Sequence, residues 1–125
     1  GNNWPPVSGQ AGNYHGQEGA GSSARGMMVA GYKDSFPVAA PVDALWANPW
    51  GLKGVGGNVW EMTSKTPGGG FDAWRGASWG SFAQRTLRCE SRIDFFDAMR
   101  FCYKGFRLVL ESPESVNRVL EGDKE

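Results

Sequence analysis

Net charge is the first thing this chain lacks: 13 lysines and arginines stand against 13 aspartates and glutamates. Nucleic acids and anionic membranes select partners with an excess of cations, so no electrostatic case exists for either. No apolar run approaches the roughly 20 residues of a membrane-spanning helix, and no basic-then-apolar signal segment is present. Histidine is almost absent. The single one, His15, lies in a glycine-rich segment and reads most simply as a solvated loop residue. No serine sits in a nucleophile motif and no phosphate-binding glycine loop precedes a helix, which removes Ser-His-Asp hydrolysis and nucleotide-phosphate binding. Long helical periodicity is missing too, and no internal repeat is visible.

What is abundant explains that last absence. Nineteen glycines, seven prolines and six tryptophans describe a domain of turns and short strands pinned by large aromatic side chains. Residues 1–37 have no periodic apolar face, and by composition alone would be disordered. Residues 37–49 read as an extended connector through Phe36-Pro37-Val38 and Ala40-Pro41-Val42. The runs 74–79 and 105–110 read as strands, because Leu108 and Leu110 alternate with Arg107 and Val109 and aromatics flank glycine turns. Between them, Leu87-Arg88-Cys89-Glu90-Ser91-Arg92 reads as a short scaffold. It is followed by aromatics and aspartates with neither helical nor strand period, more typical of a presented surface than of a core. The end of the chain, 112–125, is a short docking helix or a frayed tail: Ser112 is placed to cap it, Pro113 to start it, and Val116, Val119 and Leu120 share a face.

Four blocks in order carry a resemblance: Gly56-Gly57-Asn58-Val59-Trp60-Glu61, Arg75-Gly76-Ala77-Ser78-Trp79, Leu87-Arg88 with Arg92, and Gly105-Phe106-Arg107. Together they resemble the formylglycine-generating-enzyme, or sulfatase-modifying-factor, family. That resemblance implies an α+β domain of C-type lectin-like fold over residues 1–111, with low helix content, short antiparallel strands and long loops. It covers the later part of the usual domain. The helical segment that family members carry ahead of the Trp-Pro and Asn-Tyr region has no counterpart here, so the first strand and helices are expected from another polypeptide, such as the N-terminal part of a cleaved precursor.

The resemblance also implies metal. Asn13, Tyr14, Asp34 and Phe36 match a calcium site in which Asn and Asp side chains and two main-chain carbonyls supply hard oxygens. From spacing alone, an Asx-turn at Asn13 and an ordinary surface Asp34 remain open. A second calcium site would use Gly57, Val59 and Glu61 with an acidic or amide side chain at position 54. Gly54 has none, so that site is expected empty or weak, and Glu61 accepting main-chain hydrogen bonds needs no metal.

Catalysis is where the sequence departs from the family. Formylglycine formation uses Cu(I) held by two cysteine thiolates, a soft pair for a soft ion. Counted forward from Trp79 the first would fall at Ser81, and counted back from Leu87-Arg88-Cys89 the second near Gln84, so neither copper nor a copper enzyme is expected. Cys89 and Cys102 read as ordinary thiols; a disulfide between them would contribute about 3 kcal/mol if geometry allowed. Iron-dependent sulfoxide synthases, a second branch, need several histidines, so iron is not expected either. A divergent oxidase and an interaction domain of a larger regulatory protein are the alternatives to a pure binding module.

The same fold family includes the variable proteins of diversity-generating retroelements, whose binding surface lies just ahead of a fixed Gly-Phe-Arg. Ile93, Asp94, Phe95, Phe96 and Asp97, then Phe101, Cys102 and Tyr103, are residue types such mutagenesis reaches; Gln84, Glu90, Met99 and Lys104 are not, and would be fixed. The expected ligand site is therefore Ser81, Phe82, Ile93, Asp94, Phe95, Phe96, Asp97, Phe101, Cys102 and Tyr103, over a support of Trp60, Trp74, Trp79 and the arginines 88, 92 and 107. Its partner would be a macromolecule, in the first place a protein. Phe95, Phe96 and Phe101 as plain core aromatics remain the competing reading.

Overall fold

The structure is a computed structural model that describes residues 4–6, 12–19, 27–63, 73–94 and 100–108. Four short strands form one sheet: β1 Trp60–Thr63, β2 Ala73–Arg75, β3 Ile93–Asp94 and β4 Lys104–Gly105, in the order β3-β2-β1-β4. Three single 3₁₀ turns, Gln17–Gly19, Val42–Ala44 and Gln84–Thr86, are the only helical elements among the described residues. A small sheet with so little helix is consistent with an α+β fold.

The sheet is mixed, which corrects the expectation of purely antiparallel strands. β2 runs antiparallel to both β1 and β3, pairing Glu61 with Arg75 and Trp74 with Ile93, but β4 runs parallel to β1, pairing Trp60 with Lys104. Both expected strand runs are also shorter than the sequence suggests. β2 stops at Arg75 because Gly76 (φ 92°) and Ala77 (φ 67°) turn left-handed, a conformation incompatible with a strand. β4 stops at Gly105, and Phe106 and Leu108 beyond it are exposed; Val109 and Leu110 lie outside the described residues.

Irregular main-chain pairing does what longer strands would have done. Asn58 N–H donates to Asn13 O (2.7 Å), Gly57 N–H to Gly76 O (2.6 Å), Trp79 N–H to Asn58 O (2.8 Å) and His15 N–H to Ser81 O (3.0 Å). These bonds tie segments 12–15, 57–58 and 76–81 into one layer, so buried main-chain groups are satisfied without regular structure. Against that layer sits the core of Tyr14, Val29, Tyr32, Trp60 and Ala77. The Tyr14 and Tyr32 rings meet at 5.6 Å and tilted, and the Tyr32 hydroxyl donates to Gly12 O at 2.7 Å. Burial raises both phenols, with the nearby Asp34 charge adding to it, so each stays protonated and able to donate.

Candidate functional site

β3 and the segment before β4 carry Ile93, Asp94, Phe101, Cys102 and Tyr103 of the expected ligand site, and since β3 and β4 are the two opposite edges of the sheet, these residues are spread across it. Trp74 on β2 pairs with Ile93 on β3, and Lys104 on β4 lays its ammonium 4.8 Å from the Trp74 ring centre and 5.3 Å from that of Phe101. Phe101 and Tyr103 stack face to face with centroids 5.0 Å apart and planes 10° apart. Trp74, Phe82, Ile93 and Tyr103 are each half-buried and packed on the core cluster. Trp74, Phe82 and Tyr103 therefore each rest partly on the core, and Lys104 holds its cation over the Trp74 and Phe101 rings.

Other members of the expected set fall elsewhere. Ser81 is buried: its hydroxyl accepts from Ser78 N–H at 3.0 Å and lies 3.3 Å from the Ser78 hydroxyl, so it holds a turn together and does not face a ligand. Asp94 is exposed but engaged by Arg92 (2.9 Å), and Cys102 is exposed. Phe95, Phe96 and Asp97 lie outside the described residues. The expected arginine support is reduced to one member. Arg88 and Arg92 make exposed ion pairs with Glu90 and Asp94, the kind that contributes little to stability, whereas Arg107 is partly buried and bound to Glu61.

Asn13 and Asp34, distant in sequence, are both buried, and Asp34 is bonded to the main chain of Tyr14, the residue after Asn13. Asp34 is buried, with one carboxylate oxygen accepting from Tyr14 N–H and the other from Phe36 N–H, both at 2.9 Å. Its pKa is pushed up to about 6, chiefly by burial and also by the Glu18 carboxyl beside it, against the lowering effect of those two amides. Asn13 is fully buried and uses its amide nitrogen on Val38 O (2.8 Å) and Asn58 Oδ1 (3.2 Å). Its amide oxygen and the Oε2 of Glu18 are buried without a hydrogen-bond partner among the described residues. Both are hard oxygens, the ligand type a Ca²⁺ ion takes, and the Glu18 carboxyl lies beside the buried Asp34. No three His, Cys, Asp or Glu side chains converge among the described residues, so a cation here depends on the Asn13 amide and main-chain carbonyls as well. Glu18 escaped the sequence reading because nothing in its glycine-rich surroundings sets it apart from a solvated turn.

Glu61 is already occupied. Arg107 Nη2 donates to Glu61 Oε1 at 2.6 Å, Arg107 Nε to Oε2 at 3.0 Å, and Nη2 also to Lys53 O at 2.9 Å. With Gly54 offering no side chain, the residues at Gly57, Val59 and Glu61 do not fit a second ion. Nor does the donor set at Ser81 and Gln84 fit copper, since it contains no thiolate. Cys89 and Cys102 are both free and exposed. A wide groove lined by Asp43, Leu45, Trp46 and Lys53 shares no residue with the expected ligand site, and no helix among the described residues is long and apolar enough to cross a membrane.

No curated protein and no solved structure matches the chain. A family model does: the sulfatase-modifying factor enzyme 1-like domain, over residues 7–112. That span takes in all four sequence blocks, Asn13 and Asp34, and the aromatic cluster around Lys104. The chain belongs to the sulfatase-modifying factor enzyme 1-like domain family.

Proposed function

We propose that this chain is a non-catalytic binding domain of C-type lectin type that presents the aromatic cluster of Trp74, Phe101 and Tyr103 to a macromolecular ligand, in the first place a protein. The observation that carries this reading is the stacked Phe101–Tyr103 pair beside Lys104 and Trp74. Flat rings fixed from behind lose little rotamer freedom on binding, which is how a few aromatics come to dominate an interface. The position by position variability of a retroelement protein belongs to the same proposal. The test is a displayed library randomised at 93–97 and 101–103, selected against a protein such as lysozyme. Most clones should remain protease-resistant and binders should emerge; collapse of the resistant fraction would make the run a core. A sulfatase cysteine peptide incubated with the domain, Cu(I) and oxygen should yield no formylglycine by mass spectrometry, and its formation would overturn the non-catalytic reading.

The proposal includes one structural calcium held by Asn13, Asp34 and the carbonyls of Tyr14 and Phe36. The ion would supply charge compensation for a buried carboxylate and a partner for the Asn13 amide oxygen. At a hundredfold excess over Kd such an ion adds about 2.7 kcal/mol, so chelation should lower Tm by roughly 10 °C, and metal analysis should find near one calcium per chain. Without the ion, Asp34 behaves as a carboxyl whose folded pKa, about 6, lies above its ordinary 3.8. The stability it contributes is then present below about pH 4 and lost as pH rises through about 6. In EDTA, Tm should therefore rise as pH falls from 7 to 5, and Asp34→Asn should remove both this slope and the calcium response.

A further inference from the structure

We infer that the apolar face of residues 112–120 packs into the groove lined by Asp43, Leu45, Trp46, Ala47 and Lys53, so that the C-terminal segment closes back on its own domain. The groove, about 550 Å³ in volume, is built before anything enters it. Ala47 bridges Lys53 in antiparallel fashion, and the Asn48 side-chain oxygen accepts from the N–H groups of Trp50 and Leu52, both at 3.0 Å. The Lys53 ammonium donates to Asp43 O at 2.9 Å, which ties one wall to the other. Leu45 is fully buried, but Trp46 is 56% exposed, and Val42, Trp50 and Leu52, close by in the chain, are exposed as well. Large apolar groups left open in this way mark a surface that another segment covers.

Position, charge and sequence name the occupant. The last described residues lie at the groove: Arg107 Nη2 donates to the main-chain carbonyl of Lys53 at 2.9 Å, and Leu108, next along the chain, is exposed. Val116 follows eight residues later, a reach of up to about 27 Å. Residues 109–125 carry five acidic side chains against two basic ones, so the rest of a chain without net charge holds an excess of three cations, Lys53 in the groove wall among them. The sequence predicts a helix begun by Ser112 and Pro113, with Val116, Val119 and Leu120 on one face. A helix so short forms only against a surface that covers that face. The family match ends at residue 112, so the segment is this chain's own addition to the domain. Being tethered, it meets the groove at an effective concentration on the order of millimolar, above that of a second copy in dilute solution. None of this depends on the aromatic cluster around Lys104 binding a protein.

Trypsin cleavage after Arg118 in the full chain, timed by mass spectrometry, tests it, with the free peptide 109–125 as the unprotected reference. The full chain should be cut there about tenfold or more slowly than the peptide, at every protein concentration. Trp46→Ala, which removes an exposed wall of the groove, and Ala47→Glu, which sets a carboxylate against the acidic segment, should each bring the rate up to that of the peptide. Equal rates for native chain and peptide would overturn the inference, and so would protection that survives both substitutions. Protection that fades on dilution would give the groove to a second copy and overturn it as well. Should either variant fail to fold, the other decides, since both side chains are exposed; should both fail, the comparison of native chain with peptide across the dilution series decides.

Discussion

Gly57→Ala should abolish the native fold or lower Tm by more than 15 °C, measured by circular dichroism melting. Gly57 sits at φ 75°, and a Cβ there would lie 2.1 Å from Asn13 O, 2.7 Å from its carbonyl carbon and 2.8 Å from its nitrogen. The obstruction is main chain, so no rotamer change relieves it. Retreat of the Asn13 strand is opposed by the bonds that seat it, Asn58 N–H to Asn13 O and Gly57 N–H to Gly76 O. The left-handed conformation alone costs an alanine about 1–2 kcal/mol. Forcing the segments apart removes main-chain bonds worth about 1 kcal/mol each and leaves buried groups unsatisfied at about 1–3 kcal/mol each. The sum consumes most of a stability of about 5–15 kcal/mol. Gly31→Ala is the control. Its φ is 74°, but a Cβ there meets nothing within 4 Å, so only the conformational cost remains. Equal melting of the two variants would show that the approach of Gly57 to Asn13 is looser than described.

That contact also marks the limit of what a local pattern shows. Gly-Gly-Asn in the block before Trp60 announces a tight turn, and Trp60, which reads as support, is core. What passes against the turn is Asn13, and no periodicity links residues so far apart. The strand runs are shorter than they read for a related reason: the aromatics Trp74 and Trp79 that suggest a strand flank Gly76 and Ala77, where the backbone reverses hand. Nothing in hydropathy reports φ at Ala77. Ser81 looked like a surface hydroxyl because the turn bonding it to Ser78 forms only where His15 docks. Arg107 was legible as a support from its place in Gly-Phe-Arg. Its partner Glu61 was not, because Arg88 and Arg92 have carboxylates close by in sequence whereas the Arg107 pair is made across the sheet.

Asn58→Ala should be the second most damaging single change, lowering stability by about 3–5 kcal/mol, or Tm by roughly 10–20 °C. Its side chain joins the segments around Asn13 and Ala40 to its own. Oδ1 accepts from Ala40 N–H (2.7 Å) and from the Asn13 amide (3.2 Å), while Nδ2 donates to Ala40 O (3.2 Å). Ala40 is buried, so truncation leaves both of its main-chain groups without a partner and without water. Asn58 also sits at φ 59°, which asparagine adopts readily and alanine does not. Asn58→Gly separates the two causes. Glycine loses the same hydrogen bonds but regains the conformation, so it should recover about 1 kcal/mol relative to alanine and no more. If glycine restored native stability, the side-chain bonds would be worth nothing. The effect should extend to the metal, because Asn13 presents its amide oxygen inward only while its amide nitrogen is held by Asn58 and Val38. Freed from one of those acceptors, the Asn13 amide can rotate, and the calcium-dependent part of Tm should shrink in Asn58→Ala although no proposed ligand has been replaced.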